Sequence, residues 1–157
     1  MKVELWVIGK TNEKYLRTGI EEYEKRLSHY LPFQMVVIPD VKSGKGIGAE
    51  QVKDKEGEAV LAKLKAEDVL VLLDEKGQNF SSTAFAKHLD QLLMRPGRRL
   101  VFLVGGAFGF SNSIYEKAYA KLSLSNMTFS HQMIRLFFLE QLYRAMTILR
   151  NEPYHND

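Results

Sequence analysis

The chain has 157 residues and a formal charge of +3, with 45% hydrophobic and 26% charged residues, a balance that excludes a disordered or collagen-like polymer and fits one domain, residues 1–157. It has no cysteine and four histidines without close i, i+4 ligand spacing, which excludes disulfides, thiolate nucleophiles and cysteine-based zinc or iron–sulfur sites, so no metal is expected. No apolar run reaches the roughly 18 residues of a membrane span and the opening residues do not read as a signal peptide, so a cytoplasmic protein with no membrane partner is expected.

In chain order, VELWVI alternates and reads as a first strand. Behind Asn12, a candidate N-cap, the residues Leu16, Ile20, Tyr23, Leu27 and Leu31 recur at helical spacing. FQMVVI is a second strand, closed by Pro39 and Asp40. The following VKSGKGIG is a basic, glycine-rich loop that is either simply solvated or able to track a phosphate backbone. Residues 49–65 form a helix on Val52, Val60, Leu61 and Leu64, weakened by Gly57. VLVLL then runs into Asp74-Glu75-Lys76-Gly77, and Ser81 or Ser82 caps a helix built on Phe85, Leu89, Leu92 and Leu93. LVFLV is another uninterrupted apolar strand. A short helix over about 113–121, a short strand near 122–124, the loop SNMTFSH and a long helix over 131–150 complete the chain.

Strands without alternation are buried on both faces, and strands alternating with helices give an α/β domain with a mainly parallel central sheet and helices on both faces. Ligands of such sheets sit beyond the carboxyl ends of the strands, where VLVLLDEKG and LVFLVGGAFG converge. The glycines fit neither a dinucleotide fingerprint, which needs G-x-G-x-x-G after the first strand, nor a P-loop, which needs G-K-[ST]. One glycine after a strand needs only a turn of positive φ. Gly105, Gly106 and Gly109, with a strand ending in Leu73-Asp74 and the polar loop SLSNMTFSH, instead suggest a pocket of backbone groups for a neutral, edge-on ligand such as adenine.

The segments LLDEKGQ, LVGGAFGF, LSLSNMTFSHQMIRLFFLEQLYRAMTILRNEPYH and VIGK…YLRTGIEEYEKRL together resemble the RlmH type of SPOUT methyltransferase, over essentially the whole chain. That resemblance implies an α/β domain with a deep C-terminal trefoil knot. It implies an S-adenosylmethionine-dependent methyltransferase acting on N3 of a pseudouridine in large-subunit ribosomal RNA, in assembled ribosomes and as a homodimer, with no role for DNA. On this chain the cofactor residues implied are Leu73, Gly105, Gly106, Leu124, Ser125, Asn126, Met127, Thr128 and Phe129. The family motif often has Pro where Ser130 stands.

The C-terminal stretch supplies the implied chemistry. Arg144, His155, Tyr154 and His131 are the candidate catalytic residues, and Arg135, Glu140 and Tyr143 the candidate substrate contacts. Glu140 and Arg144 stand i, i+4, which gives either a surface ion pair or a carboxylate that aims the guanidinium. Arg135 and Arg144 lie about 180° apart on an ideal helix and need not serve one site within one subunit. Tyr154 can stack on a base and His155 can exchange a proton near neutral pH, across a dimer interface if not within the chain. His29 and His88 are expected to be exposed helix residues. Phe137, Phe138, Leu142 and Met146 put apolar groups on two faces of the last helix, one for the sheet and one for a second subunit. A non-catalytic RNA-binding factor and a SPOUT enzyme for transfer RNA are the rival readings; the first needs no glycine pocket, and the second usually carries extra RNA-binding domains.

Overall fold

The computed structural model of the chain describes residues 1–44 and 46–156. In chain order its elements are β1 (Lys2–Ile8), α1 (Lys14–Leu27), β2 (Phe33–Ile38), α2 (Ala49–Lys63), β3 (Asp68–Asn79), α3 (Ser82–Leu93), β4 (Arg99–Val104), α4 (Asn112–Lys117), β5 (Ala120–Ser123) and α5 (Met133–Leu149). The strands form one parallel sheet in the order β2-β1-β4-β3-β5. Side chains on one face of the sheet (Val3, Leu5, Val7, Val71, Phe102) pack against α1, α3 and α5. Those on the other (Trp6, Ile8, Leu70, Leu72, Leu103) pack against Val60 of α2 and Ile114 of α4. Burial on both faces is why β4 carries no polar residue after Arg99. At the amino ends of the strands, buried Glu4 accepts from the Trp6 indole at 2.6 Å and pairs with Arg99, which also grips Asp68.

Several boundaries differ from the sequence reading, each for a tertiary reason. β3 continues past Leu73 through a bulge to Asn79, because Gln78 and Asn79 pair with Leu122 and Ser123 of β5. Gly77 makes that pairing possible: a Cβ there would lie 2.7 Å from the Leu122 backbone nitrogen. α4 stops at Lys117 rather than near 121, since the Tyr119 amide donates to Leu70 O and Ala120 joins the sheet beside Val71. The N-cap of α1 is Glu13, not Asn12, and its side chain makes no capping bond, whereas Ser81 caps α3 by accepting from the Ala84 amide at 3.1 Å. Gly57 lets α2 approach α4, with an added Cβ 2.5 Å from Ser111 Oγ. His88 is half-buried and stacked on Phe80, ring centroids 4.7 Å apart, rather than exposed. The basic loop 41–48 includes Lys45, and the C-terminal tail ends in Asp157, both outside the described residues.

Candidate active site

Three loops leaving the carboxyl ends of β3, β4 and β5 enclose a cavity of about 370 Å³. Of the nine residues implied for the cofactor, Leu73, Gly105, Gly106, Leu124, Ser125, Met127, Thr128 and Phe129 line it, and Asn126 does not. Asn126 Oδ1 accepts from Asn79 Nδ2 at 2.6 Å, so it ties the third loop to the end of β3. The loop is braced further by short polar bonds. Ser123 Oγ donates to Ser125 O (2.8 Å), the Met127 amide to Ser125 Oγ (3.0 Å) and Thr128 Oγ1 to Glu75 Oε2 (2.7 Å). Ser130, where proline is common in the family motif, accepts the Met133 amide on its hydroxyl at 3.1 Å and so secures the approach to α5.

The glycines earn their positions in different ways. Gly106 O accepts from the Gly109 amide, closing a turn in which Gly109 takes φ +85°, a backbone region that side chains disfavour. A Cβ on Gly105 would stand 3.1 Å from the Phe110 ring, and one on Gly106 would stand 2.5 Å from the Glu56 carboxylate. The missing side chain of Gly105 thus makes room for the Phe110 ring, and that of Gly106 for the Glu56 carboxylate behind the turn. Asp74, which the sequence reading placed at the strand end beside the pocket, lines the cavity, as do Phe110, Tyr115 and Ile134, which it did not single out. Tyr115 donates to Asp74 Oδ2 at 2.6 Å; burial first, and then that carboxylate, push its phenol up to about 12, so it remains a donor. The D-E-K-G after an apolar strand was the available signal for Asp74; nothing local marked Tyr115.

The candidate catalytic residues separate. His131 lines the pocket, half-buried, with burial first and Arg135 second lowering its pKa and Asp40 opposing them. Arg144, Tyr154 and His155 line no part of it. Arg144 stands ten residues along α5 from Ile134, about 15 Å at 1.5 Å per residue. There the tail folds back onto α5. Arg144 Nη2 binds Glu140 Oε1 at 2.6 Å, Tyr154 OH donates to the same oxygen at 3.0 Å, and Arg144 Nη1 lies 3.0 Å from His155 Nδ1. A guanidinium only donates, so Nδ1 is the acceptor and a neutral ring carries its proton on Nε2. Tyr143 packs edge-on against Tyr154 and Tyr30, and Tyr23 OH lies 3.3 Å from Tyr154 OH. Burial, then the bonds to Tyr23 and Glu140, raise the Tyr154 pKa, which keeps it a neutral phenol.

Arg135 is not a substrate contact. It is fully buried and donates to Ile8 O, Gly9 O, Thr11 Oγ1 and His131 O, which fastens the end of β1 to the start of α5. Burial lowers its pKa to about 10.

A parallel sheet whose last three strand-end loops form a pocket is the arrangement of an α/β enzyme, and residues 1–155 match the family model described as "Predicted SPOUT methyltransferase". The chain belongs to the SPOUT methyltransferase family, and the C-terminal trefoil knot follows from that membership. Among its relatives, proteins named ribosomal RNA large subunit methyltransferase H are 55% identical in Parabacteroides distasonis, over all of both chains, and 54% identical in Flavobacterium johnsoniae, over 99% of both. The protein of the same name in Porphyromonas gingivalis is 52% identical over all of both chains. A solved structure, that of a probable methylase family protein from Haemophilus influenzae, superposes with TM-score 0.55 at 12% identity, covering 99% of this chain and 70% of that one, and supports the fold alone.

Proposed function

We propose that this enzyme transfers a methyl group from S-adenosylmethionine to N3 of a pseudouridine in large-subunit ribosomal RNA, acting in the cytoplasm on assembled ribosomes. Full-length relatives named for ribosomal RNA methylation support the substrate class. The observation that carries the reading is the pocket. Its volume and its walls of glycine backbone, Leu73, Leu124, Phe129 and Ile134 suit a flat, weakly charged adenine with a polar tail beside it. The cofactor supplies a sulfonium methyl already activated for transfer.

The protein's task is then orientation and a proton. N3 of pseudouridine bears a hydrogen that must leave, and a guanidinium beside the base stabilises the anion that remains. Glu140 and Tyr154 hold Arg144 in one orientation, but its distance from the pocket along α5 leaves a single chain incomplete. A homodimer completes it, with Arg144 of the partner subunit, and its tyrosine and histidine neighbours, closing over the pocket. Phe129, Met133 and Phe137 are exposed beside the pocket, and the Phe129 and Phe137 rings lie 5.1 Å apart, an apolar strip suited to a second subunit. Incubation with methyl-labelled cofactor and ribosomes from a strain lacking the endogenous enzyme tests the reading. Label on N3 of one large-subunit pseudouridine is expected; label elsewhere, or cofactor binding without label, would overturn the substrate assignment.

A further inference from the structure

α5 ends in a reversal that its sequence prepares. Arg150 caps the helix, and Asn151 follows in the left-handed region at φ +55°, a conformation that asparagine tolerates better than most side-chain-bearing residues. The Asn151 amide donates to Ile148 O at 3.1 Å and the Glu152 amide to Thr147 O at 2.9 Å, the paired bonds of a Schellman turn. Pro153 then prevents any return to helix. The chain is sent back along α5, where Tyr154 reaches Glu140 and His155 reaches Arg144.

The reversal is fastened from another element. Tyr30, in the turn that follows α1, meets this segment through three separate groups. Its hydroxyl donates to Glu152 Oε2 at 2.5 Å, its carbonyl oxygen accepts from Arg150 Nη2 at 3.2 Å, and its ring lies 4.7 Å from the Arg150 guanidinium. The bond to Glu152 first, and then burial, raise the Tyr30 pKa and keep the phenol a donor. The same ring meets Tyr143 edge-on, and Tyr143 meets Tyr154 edge-on at 4.8 Å. Pro153 alone lies between Glu152 and Tyr154, so fixing Glu152 fixes where the phenol and the imidazole start. Neither Tyr30 nor Glu152 lines the cofactor pocket.

We infer that Tyr30 and Glu152 form a latch that positions the C-terminal cluster for methyl transfer, with Tyr30 a positioning residue that acts through Tyr154 and His155. The inference rests on the function proposed above, in which that cluster meets the target base. With the latch broken, the tail keeps its bonds to Glu140 and Arg144 but opens more often. A group held out of line with the reacting atoms slows the chemical step while leaving the binding of cofactor intact.

The test uses Y30F, E152A, E152Q and the double variant Y30F/E152A. Y30F removes only the hydroxyl and keeps the ring and the carbonyl; E152Q keeps an acceptor. Four quantities are read: kcat and KM for methyl transfer to ribosomes, cofactor Kd by calorimetry, the melting temperature, and hydrogen exchange over residues 151–156. Y30F and E152A should each lower kcat by about 3- to 10-fold, the range for losing one hydrogen bond, with KM, cofactor Kd and melting little changed. The double variant should be no slower than either single one, because both break the same contact. E152Q should stay within about twofold of the wild type, by the same reckoning. Exchange over 151–156 should quicken in Y30F while the body of α5 stays protected. An unchanged kcat in Y30F, or losses that add in the double variant, would overturn the inference. So would a lowered melting temperature with faster exchange along all of α5, which would make Tyr30 a support for the fold alone. If the wild type places no methyl on pseudouridine, the functional reading fails; unchanged exchange in Y30F would refute the latch itself, whatever the reaction.

Discussion

The proposed cofactor pocket and the C-terminal cluster are both ordered, yet they are built from opposite materials. The pocket is walled by glycine turns and mostly apolar side chains, with polar side chains bracing its loops, as Asn126 does through Asn79 and Thr128 through Glu75. The cluster is made of side-chain functional groups, with Glu140, Arg144, Tyr154 and His155 bonded to one another. A largely apolar pocket selects by shape; a cluster of charged and phenolic side chains acts through charge and protons. The two regions should therefore fail differently.

The largest effect is expected at the cluster. Arg144→Ala, or deletion of Tyr154 to Asp157, should lower methyl transfer by about 10²–10³-fold, the range for removing one group that stabilises developing charge. Cofactor affinity should stay within about twofold, because the pocket is walled by residues of its own chain other than Arg144 and the partner's Arg144 is proposed to meet the target base. Single-turnover transfer and calorimetry read the two quantities separately. A matching loss of cofactor affinity would break the division between the regions.

The complementary change is Gly106→Val. An added Cβ would stand 2.5 Å from the Glu56 carboxylate, so the turn must shift toward the pocket. Cofactor affinity should fall by about 100-fold or more, in the manner of a misplaced site wall. Calorimetry with a thermal melt checks that binding, not folding, is lost.

Mixing the two variants sharpens the comparison. In a dimer of one R144A and one G106V subunit, the intact pocket of the first would face the intact cluster of the second. Random exchange makes half the dimers mixed, each with one competent site of two, so about a quarter of wild-type activity should return. If each chain works alone, mixing two inactive variants restores nothing.

How much of this was legible beforehand follows the same division. The pocket lies where uninterrupted apolar strands stop, and strands such as Leu100–Val104 announce themselves by local composition, as do the glycines that follow them. The roles of Arg135 and Gly57 were not local. An arginine on a helix reads as a surface cation until the fold buries it against Ile8 O and Gly9 O, and a helical glycine reads as a weak point until Ser111 is seen against it. Glu56 was hidden for the same reason: one carboxylate in the charged run Lys53-Asp54-Lys55-Glu56 carries no sign of burial. A chain terminus ordinarily frays, and Pro153 alone does not reveal that Tyr154 returns to Glu140.

The smallest expected effect concerns His131, which lines the pocket. Burial and the neighbouring Arg135 cation disfavour its imidazolium, and Asp40 offsets them only in part, so its pKa lies below the usual 6.5. The ring is therefore neutral at pH 7 and gains a proton only as pH falls through that lowered value. Protonation would place a cation beside the pocket proposed for a sulfonium cofactor, so affinity should be constant above about pH 6.5 and decline by a few-fold below it. The linkage has the matching sign for stability: a base held neutral by the fold contributes fully above its unfolded pKa, and that contribution is lost as pH falls toward the folded pKa. Calorimetric titration of cofactor from pH 5 to 8 checks the first effect, and H131N should flatten the curve. A decline centred above pH 6.5 would mean that Asp40, rather than burial and Arg135, governs this histidine.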